Sequence, residues 1–297
     1  MATTLNLNTL PDYIEQHRDE LFIKSTLGSK SLDYLDIMTN VKFKEAINFL
    51  DSTVVIQDGS DCNWNPQGED TFSQRFIEVV PVEVQKEYCW KDFRKKYMNY
   101  QLLWEAGRET LPFEEKIAQS NMNAIQEAVE DMVWQGIDDP EVKGILEIAE
   151  EESANTVNVT FASGETITEK VDKLVAAIPL VALKKGVNVF MSYTDFRTYI
   201  QESNAGCCSN RPVIDAASES ISYFGDSRVT IVPVLGLEGQ NAIVAFPKDA
   251  VVYGTDVENA DNKYEMWYSK DDDKFRFYVL WNAGFAFRFP GEVVIGK

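Results

Sequence analysis

From Phe113 to Met132 the apolar side chains return at helical spacing. Phe113, Ile117, Ala118, Ala124, Ile125, Ala128, Val129 and Met132 share one arc, and Lys116, Gln119, Asn123, Glu127 and Glu130 fall opposite. The pattern predicts one amphipathic surface helix over about 112–135. Pro112 suits a first helical position, where an N–H would have no partner. Glu114 and Glu115 complement the positive end, and Gly136 can take the left-handed stop. About 23 residues at 1.5 Å rise make a rod of roughly 34 Å, as long as a small domain is wide. Packing on one sheet would explain its apolar arc, so its neighbours decide what it spans.

Before it, "TLPDYIEQHRDELFIKSTLGS" predicts a helix with Thr9 as cap, Leu10, Ile14, His17 and Leu21 on one side, and Gly28 at its end. "VKFKEAINFLDSTVVIQDG" leads into a short strand around Thr53 to Gln57, followed by the polar loop "SDCNWNPQGEDTF". "FSQRFIEVVPVEVQKEYCW" alternates, with Phe72, Phe76, Val80, Val82, Val84, Tyr88 and Trp90 in one parity; Pro81 is tolerable only at an edge or bulge. Together these predict a long two-stranded excursion with a polar tip. Such a ribbon is marginal alone in water, so it either folds over its own domain or lies on a partner subunit.

After the long helix, "IDDPEVKGILEIAEEESAN" reads as a loop and short acidic helix, and "TVNVTFASG" as a strand. "ETITEKVDKLVAAIPLVALKKG" reads as a helix closed by Lys184, Lys185 and Gly186. "VNVFMS" is a buried strand, "YTDFRTYIQES" a helix, and residues 220–254 several short strands with turns at Gly225 and Asp226 and at Gly236 to Gly239. This alternation predicts an α/β unit. The terminal "NKYEMWYSKDDDKFRFYVLWNAGFAFRFPGEVVIG" holds two or three antiparallel strands joined through Ser269 to Lys274.

Composition changes the picture through charge. The 297 residues carry a net charge of −20, and residues 101–152 hold 14 acidic against 3 basic side chains, or −11. That balance disfavours a duplex-binding surface, which needs clustered Lys and Arg. A solvated face is the usual reason for such a run. No apolar run of membrane-spanning length and no basic-then-apolar leader occurs, so neither a membrane span nor conventional secretion is expected.

Candidate chemistry is sparse. Cys62, Cys89, Cys207 and Cys208 lack paired C-x-x-C spacing, and the single histidine, His17, lies about 45 residues from the nearest of them, which argues against zinc. The cysteines read as free thiols and His17 as structural. Vicinal Cys207 and Cys208 have no activating histidine nearby. "GLEGQ" at 236–240 reads as a tight turn, and Asp271 to Asp273 as a hairpin tip whose adjacent side chains point apart. No phosphate-cradling, nucleophile-elbow or zinc-protease motif is present. No catalytic, cofactor-binding or metal-ligating residue is therefore assigned, and no cofactor is expected.

The order of parts resembles the major capsid proteins of tailed bacteriophages, the Hong Kong 97 fold, used also by encapsulin shells. The resemblance is carried by the amino-terminal arm, the out-and-back segment "VKFKEAINFLDSTVVIQDGSDCNWNPQGEDTFSQRFIEVVPVEV", "YCWKDFRKKY" and the "LPFEEKIAQ…VWQG" helix. Carboxy-terminally it is carried by "VNVFMSYTDFRTYI", "VTIVPVLGLEGQNAIVAFPKDAVVYGTD" and the terminal strands. It implies an α+β fold with an arm (1–35), a peripheral domain (36–51, 91–140 and 255–297) around a spine helix, an extended loop (52–90) and an α/β axial domain (141–254). It implies a structural protein, not an enzyme, forming pentamers and hexamers of an icosahedral shell around double-stranded DNA. Such a shell assembles in the host cytoplasm, resides in the virion, and has scaffold, portal and decoration proteins as possible partners and no membrane. The short start of the arm implies no internal scaffolding segment. An encapsulin-type compartment holding protein cargo is the alternative, and a metal-dependent enzyme using acidic residues a remoter one.

Overall fold

The structure is a computed structural model describing residues 9–57, 67–89, 91, 95–96, 113–205, 214–215, 219–224, 226–256 and 263–297. The chain begins with helices α1 (Thr9–Gln16) and α2 (Arg18–Leu27). Where one helix was expected, two meet at His17, whose ring packs 4.7 Å from that of Tyr13 and stays exposed; Leu10, Ile14 and Leu21 are buried as the pattern required. Strand β1 (Asp36–Met38) follows, then β2 (Lys44–Val54), β3 (Gly68–Glu78) and β4 (Val80–Cys89).

Strands β2 and β3 pair antiparallel in register from Lys44 with Glu78 to Val54 with Gly68, forming a ribbon isolated from every other sheet. The ribbon therefore starts earlier than the short strand expected at 53–57. The alternating stretch 72–90 also divides: its second half, β4, leaves the ribbon for a five-stranded sheet. Side-chain phase slips at the junction. Ile77 and Val79 are buried with odd numbers, Val82 with an even one, so Phe72 and Phe76 do not share a face with Val82 and Val84. The tip, 58–66, lies outside the described residues.

The long helix is α3 (Phe113–Gln135), followed by the hairpin β5 (Ile137–Asp138) and β6 (Glu141–Val142), helix α4 (Ile145–Glu151) and strand β7 (Val157–Val159). Gly136, at φ +80°, stops α3 as expected, and a Cβ there would lie 2.5 Å from the Val142 carbonyl oxygen. Next come α5 (Ile167–Ala176), α6 (Leu180–Lys185), β8 (Val187–Ser192), α7 (Tyr193–Ala205), β9 (Ile214–Asp215), β10 (Ser220–Ser222), β11 (Val229–Val234) and β12 (Ile243–Phe246). The single helix expected over 165–186 is broken at Pro179, which cannot continue the ladder of α5 and instead caps α6. Thr166 and Glu169 form a capping box at the start of α5. The chain ends with β13 (Val251–Thr255), β14 (Lys263–Ser269), β15 (Lys274–Phe287) and β16 (Val294–Gly296).

Two sheets organise the body. In the first, β15 is the centre: β4 runs along one side, β13 and β14 follow one another along the other, and β1 pairs with β13. In the second, the order is β7-β16-β12-β8-β11-β10-β9. Terminal strand β16 thus belongs with 157–246, whereas β13 belongs with the carboxy-terminal hairpin.

Helix α3 spans both sheets. Near its start Asn121 is buried and accepts hydrogen bonds from Tyr88 Oη at 2.7 Å and Lys86 Nζ at 3.2 Å, under the first sheet. At its end Trp134 packs 5.1 Å from Phe190 and 6.3 Å from Phe246, under the second. Ala118, Ile125, Val129 and Met132 are buried as the arc predicts; Ala124 and Ala128 are exposed, and Glu130, expected outside, is buried. Met132, Val133 and Trp134 are all buried because the second sheet and the segment after α2 close over this turn, while Gln135 stays exposed.

Candidate assembly surfaces

The ribbon has two unlike faces. Ile47 and Ile77 turn inward onto Val41, Val79, Val252 and Ala286. Arg75, opposite Ile47, donates through Nη1 to both oxygens of Glu152 at 2.8 Å and to the Phe287 carbonyl at 3.2 Å, and Phe49 lies 5.7 Å from the Phe289 ring. The other face carries Phe76 and, at 81% exposed, both Phe72 and Val54; Ile56, just beyond, is 95% exposed and Phe43 at the base is also open. Large apolar side chains in a row on a thin two-stranded element mark a contact surface, since scattered exposure would need no explanation.

A second feature joins the arm to the spine. The Glu130 carboxylate accepts from Ser29 Oγ, from Ser31 N at 3.0 Å and from Ser31 Oγ at 2.6 Å, while Trp134 Nε1 donates to Ser31 Oγ at 2.7 Å. Beside it, Tyr193 Oη donates to Glu219 at 2.8 Å, and Lys30 Nζ lies 3.3 Å from Tyr193 Oη and 3.4 Å from Glu219. Burial, followed by the Glu219 hydrogen bond and charge, pushes the Tyr193 hydroxyl up to about 12. The Tyr193 hydrogen bond, then the Lys30 charge, holds Glu219 below the usual carboxylate range. Burial depresses Lys30 despite Glu219 and Glu130, so desolvation of the ammonium outweighs the pairing. No sequence signal marks these residues, because partners about 100 positions apart meet only in the fold.

The acidic run is largely surface. Glu127, Asp131, Asp138, Asp139, Glu141, Glu147, Glu150 and Glu151 are exposed from α3 to α4; of the cations nearby, Lys143 pairs with Glu151 and Lys297 with Glu150. Residues 101–112 lie outside the described residues.

The sequence motifs find plain positions. Asp272 pairs with Arg276 and Asp273, at φ 54°, accepts from Tyr268, so both serve the β14–β15 turn. Gly236 lets its loop approach α3, where a Cβ would meet the Glu130 carbonyl at 2.4 Å, and its own carbonyl accepts from Gln135 Nε2 at 2.9 Å. Cys89 is exposed and free at the end of β4; Cys62, Cys207 and Cys208 lie outside the described residues. Among the described residues no three His, Cys, Asp or Glu side chains converge as metal ligands, and no helix is long and apolar enough to cross a membrane.

No family model and no curated protein matches the sequence. Solved structures do match over nearly the whole chain. A chain of the satellite phage P4 procapsid with its size-determination protein is 9% identical, with 94% of this chain and 90% of that one covered and a TM-score of 0.63. The virus-like particle from Pyrococcus furiosus is 11% identical, with 96% and 100% covered and a TM-score of 0.57. This chain has the Hong Kong 97-like capsid fold. Mycobacterium phage Cain adds a further likeness, 13% identical over 90% of this chain at a TM-score of 0.54. Within the capsid fold, α3 is the spine helix, and the ribbon of β2 and β3 is the out-and-back segment that the sequence resemblance named.

Proposed function

We propose that this chain is the repeating subunit of a closed shell: the major capsid protein of a tailed phage, forming pentamers and hexamers of an icosahedral particle around double-stranded DNA. The ribbon's outer row carries the reading. Covering a large apolar side chain is worth about 1.5–3 kcal/mol, and Phe72, Phe76 and Val54 together offer several times that to a neighbour. The capsid fold supplies the neighbour, another copy of the same chain. In this reading residues 1–35 are the arm, 36–51, 91–140 and 255–297 the peripheral domain, 52–90 the extended loop and 141–254 the axial domain. The acidic stretch 101–152 faces the interior, where the lack of Lys and Arg leaves packaged DNA unattached. Catalysis has no part in the role. Portal, scaffold and decoration proteins are the further partners of such a shell, which assembles in the host cytoplasm and persists in the virion.

The likeness to the Pyrococcus furiosus particle, complete over that chain, favours an encapsulin-type compartment as a second reading. Particle contents separate the two: nucleic acid for a virion, a protein cargo for a compartment. The shell itself is tested with the double substitution Phe72→Ser and Phe76→Ser, examined by circular dichroism and negative-stain electron microscopy. The subunit should keep its fold and lose closed particles. Particles at parental yield would overturn the role given to the ribbon.

A further inference from the structure

We propose that Ser29, Lys30 and Ser31 form a coupling junction: by holding Glu219 in a strained backbone conformation, Lys30 ties the position of the segment after α2 to the β9–β10 edge of the second sheet. The junction belongs to the free subunit, so it goes beyond the shell reading and does not depend on it.

Three elements meet at these residues. The two serines turn to α3, where both donate to the buried Glu130 carboxylate. Lys30, between them, reaches Tyr193 at the start of α7 and Glu219 directly before β10. Displacing the segment therefore pulls on the long helix and on the edge of the second sheet at once.

Strain makes the second contact consequential. Glu219 has a φ of 51°, in the left-handed region. That region is unfavourable for a residue with a Cβ, and glutamate lacks the short polar side chain with which Asn or Asp eases it. Such a conformation persists where the surroundings over-determine it. Here the Glu219 carboxylate accepts from Tyr193 Oη at 2.8 Å and lies 3.4 Å from Lys30 Nζ, which also stands 5.3 Å from the centre of the Tyr193 ring. The Lys30 side chain is 26% exposed, and burial depresses its ammonium. A cleft of about 290 Å³, lined by Lys30, Tyr193, Asn123 and Leu235 among others, lies beside it. The ammonium thus has a more open position within reach, and when it moves there the Tyr193 hydroxyl alone restrains Glu219. Strand β10 has only three residues, and it pairs with β9 through Ser220 with Asp215 and Ile221 with Ile214. So short a ladder depends on the backbone angle that starts it, and relaxation of Glu219 loosens that edge.

Hydrogen exchange read by mass spectrometry tests the coupling on the unassembled subunit. Lys30→Ala should quicken exchange over 219–223 about threefold to tenfold, with α3 and β8 unchanged. Glu219→Gly takes the left-handed conformation without strain, so in that background Lys30→Ala should change the same exchange by less than about twofold. The Ser29→Ala, Ser31→Ala double variant leaves Lys30 and Glu219 in place. It should also quicken 219–223, by a larger factor than β8, which separates a junction from a local ion pair. Unchanged exchange over 219–223 in Lys30→Ala, or an equal Lys30→Ala effect in the Glu219→Gly background, would overturn the proposal. So would a serine double variant whose exchange over 219–223 quickens no more than that of β8, or a Lys30→Ala loss of protection spread evenly over the molecule.

Discussion

Glu130 should be among the costliest polar positions in the subunit. It is 4% exposed and takes three hydrogen bonds from Ser29 and Ser31. Glu130→Ala leaves three buried donors without an acceptor. Each such loss costs about 1–3 kcal/mol; the two hydroxyls can turn toward other acceptors but the Ser31 N–H cannot, which gives about 3–5 kcal/mol in all. Glu130→Gln keeps one acceptor oxygen but sets an amide donor among donors, at about 1–3 kcal/mol. Ser31→Ala removes one donor to Glu130 and the acceptor of Trp134 Nε1, a similar cost. Glu127→Ala, exposed one turn away, should stay within about 0.5 kcal/mol of the parent. Urea unfolding of the unassembled subunit supplies the ranking, and the cycle of Ser31→Ala with Glu130→Ala should show coupling of about 1–3 kcal/mol. A Glu130→Ala loss under about 1 kcal/mol, or strict additivity in the cycle, would refute the network as a source of stability.

Two further outcomes are expected. Gly136→Ala forces a side chain into a φ of +80° and within 2.5 Å of the Val142 carbonyl, at about 2–4 kcal/mol; it should lower the melting temperature by several degrees, and an unchanged melt would show that the turn relaxes freely. Particle yield should rise with salt from low ionic strength, because at about 0.15 M the Debye length is still about 8 Å and neighbouring acidic faces are only partly screened; a steady fall with salt would mean that ion pairs between copies dominate.

What was legible in the sequence followed from local chemistry. The limits of α3 were readable because Gly136 stops a helix for reasons internal to one turn, and "VNVFMS" was readable because β8, covered on both faces, admits few polar residues. The ribbon's first arm was not, since from Lys44 to Phe49 only Ile47 is buried, and polar residues fall on both faces. The junction of β3 and β4 was hidden by two strands of nearly equal alternation joined at Val79, where the Val79 N–H turns to the Phe43 carbonyl and the phase slips. Glu130 sat in a plausible polar position, and only the return of Ser29 and Ser31 to the helix makes its burial sustainable. Of the proposed assembly surface, the long ribbon was visible in the sequence, but which aromatic residues turn outward depended on that phase.

The ribbon's stem packs on the first sheet, which bears, for the proposed shell, on how one chain could serve positions that are not equivalent. Where the end of β3 crosses the first sheet, two glycines lie beneath it beside Val252 and Ala286. A Cβ on Gly284 would lie 2.0 Å from the Glu78 carbonyl oxygen, and one on Gly254 would lie 2.7 Å from Ile77 Cδ1. At Gly284 backbone therefore rests almost on backbone, and Arg75 ties the stem to Glu152 and Phe287. Rotating the ribbon about its base would break the Arg75–Glu152 ion pair and uncover Ile47 and Ile77 together, a cost of several kcal/mol. Beyond the pair Phe49 and Ser73 the outer arms of β2 and β3 pair with each other and, among the described residues, with no other strand. In the proposed shell, adaptation between unlike neighbours would therefore fall to the outer half of the ribbon, the half that carries Phe72, Val54 and Ile56.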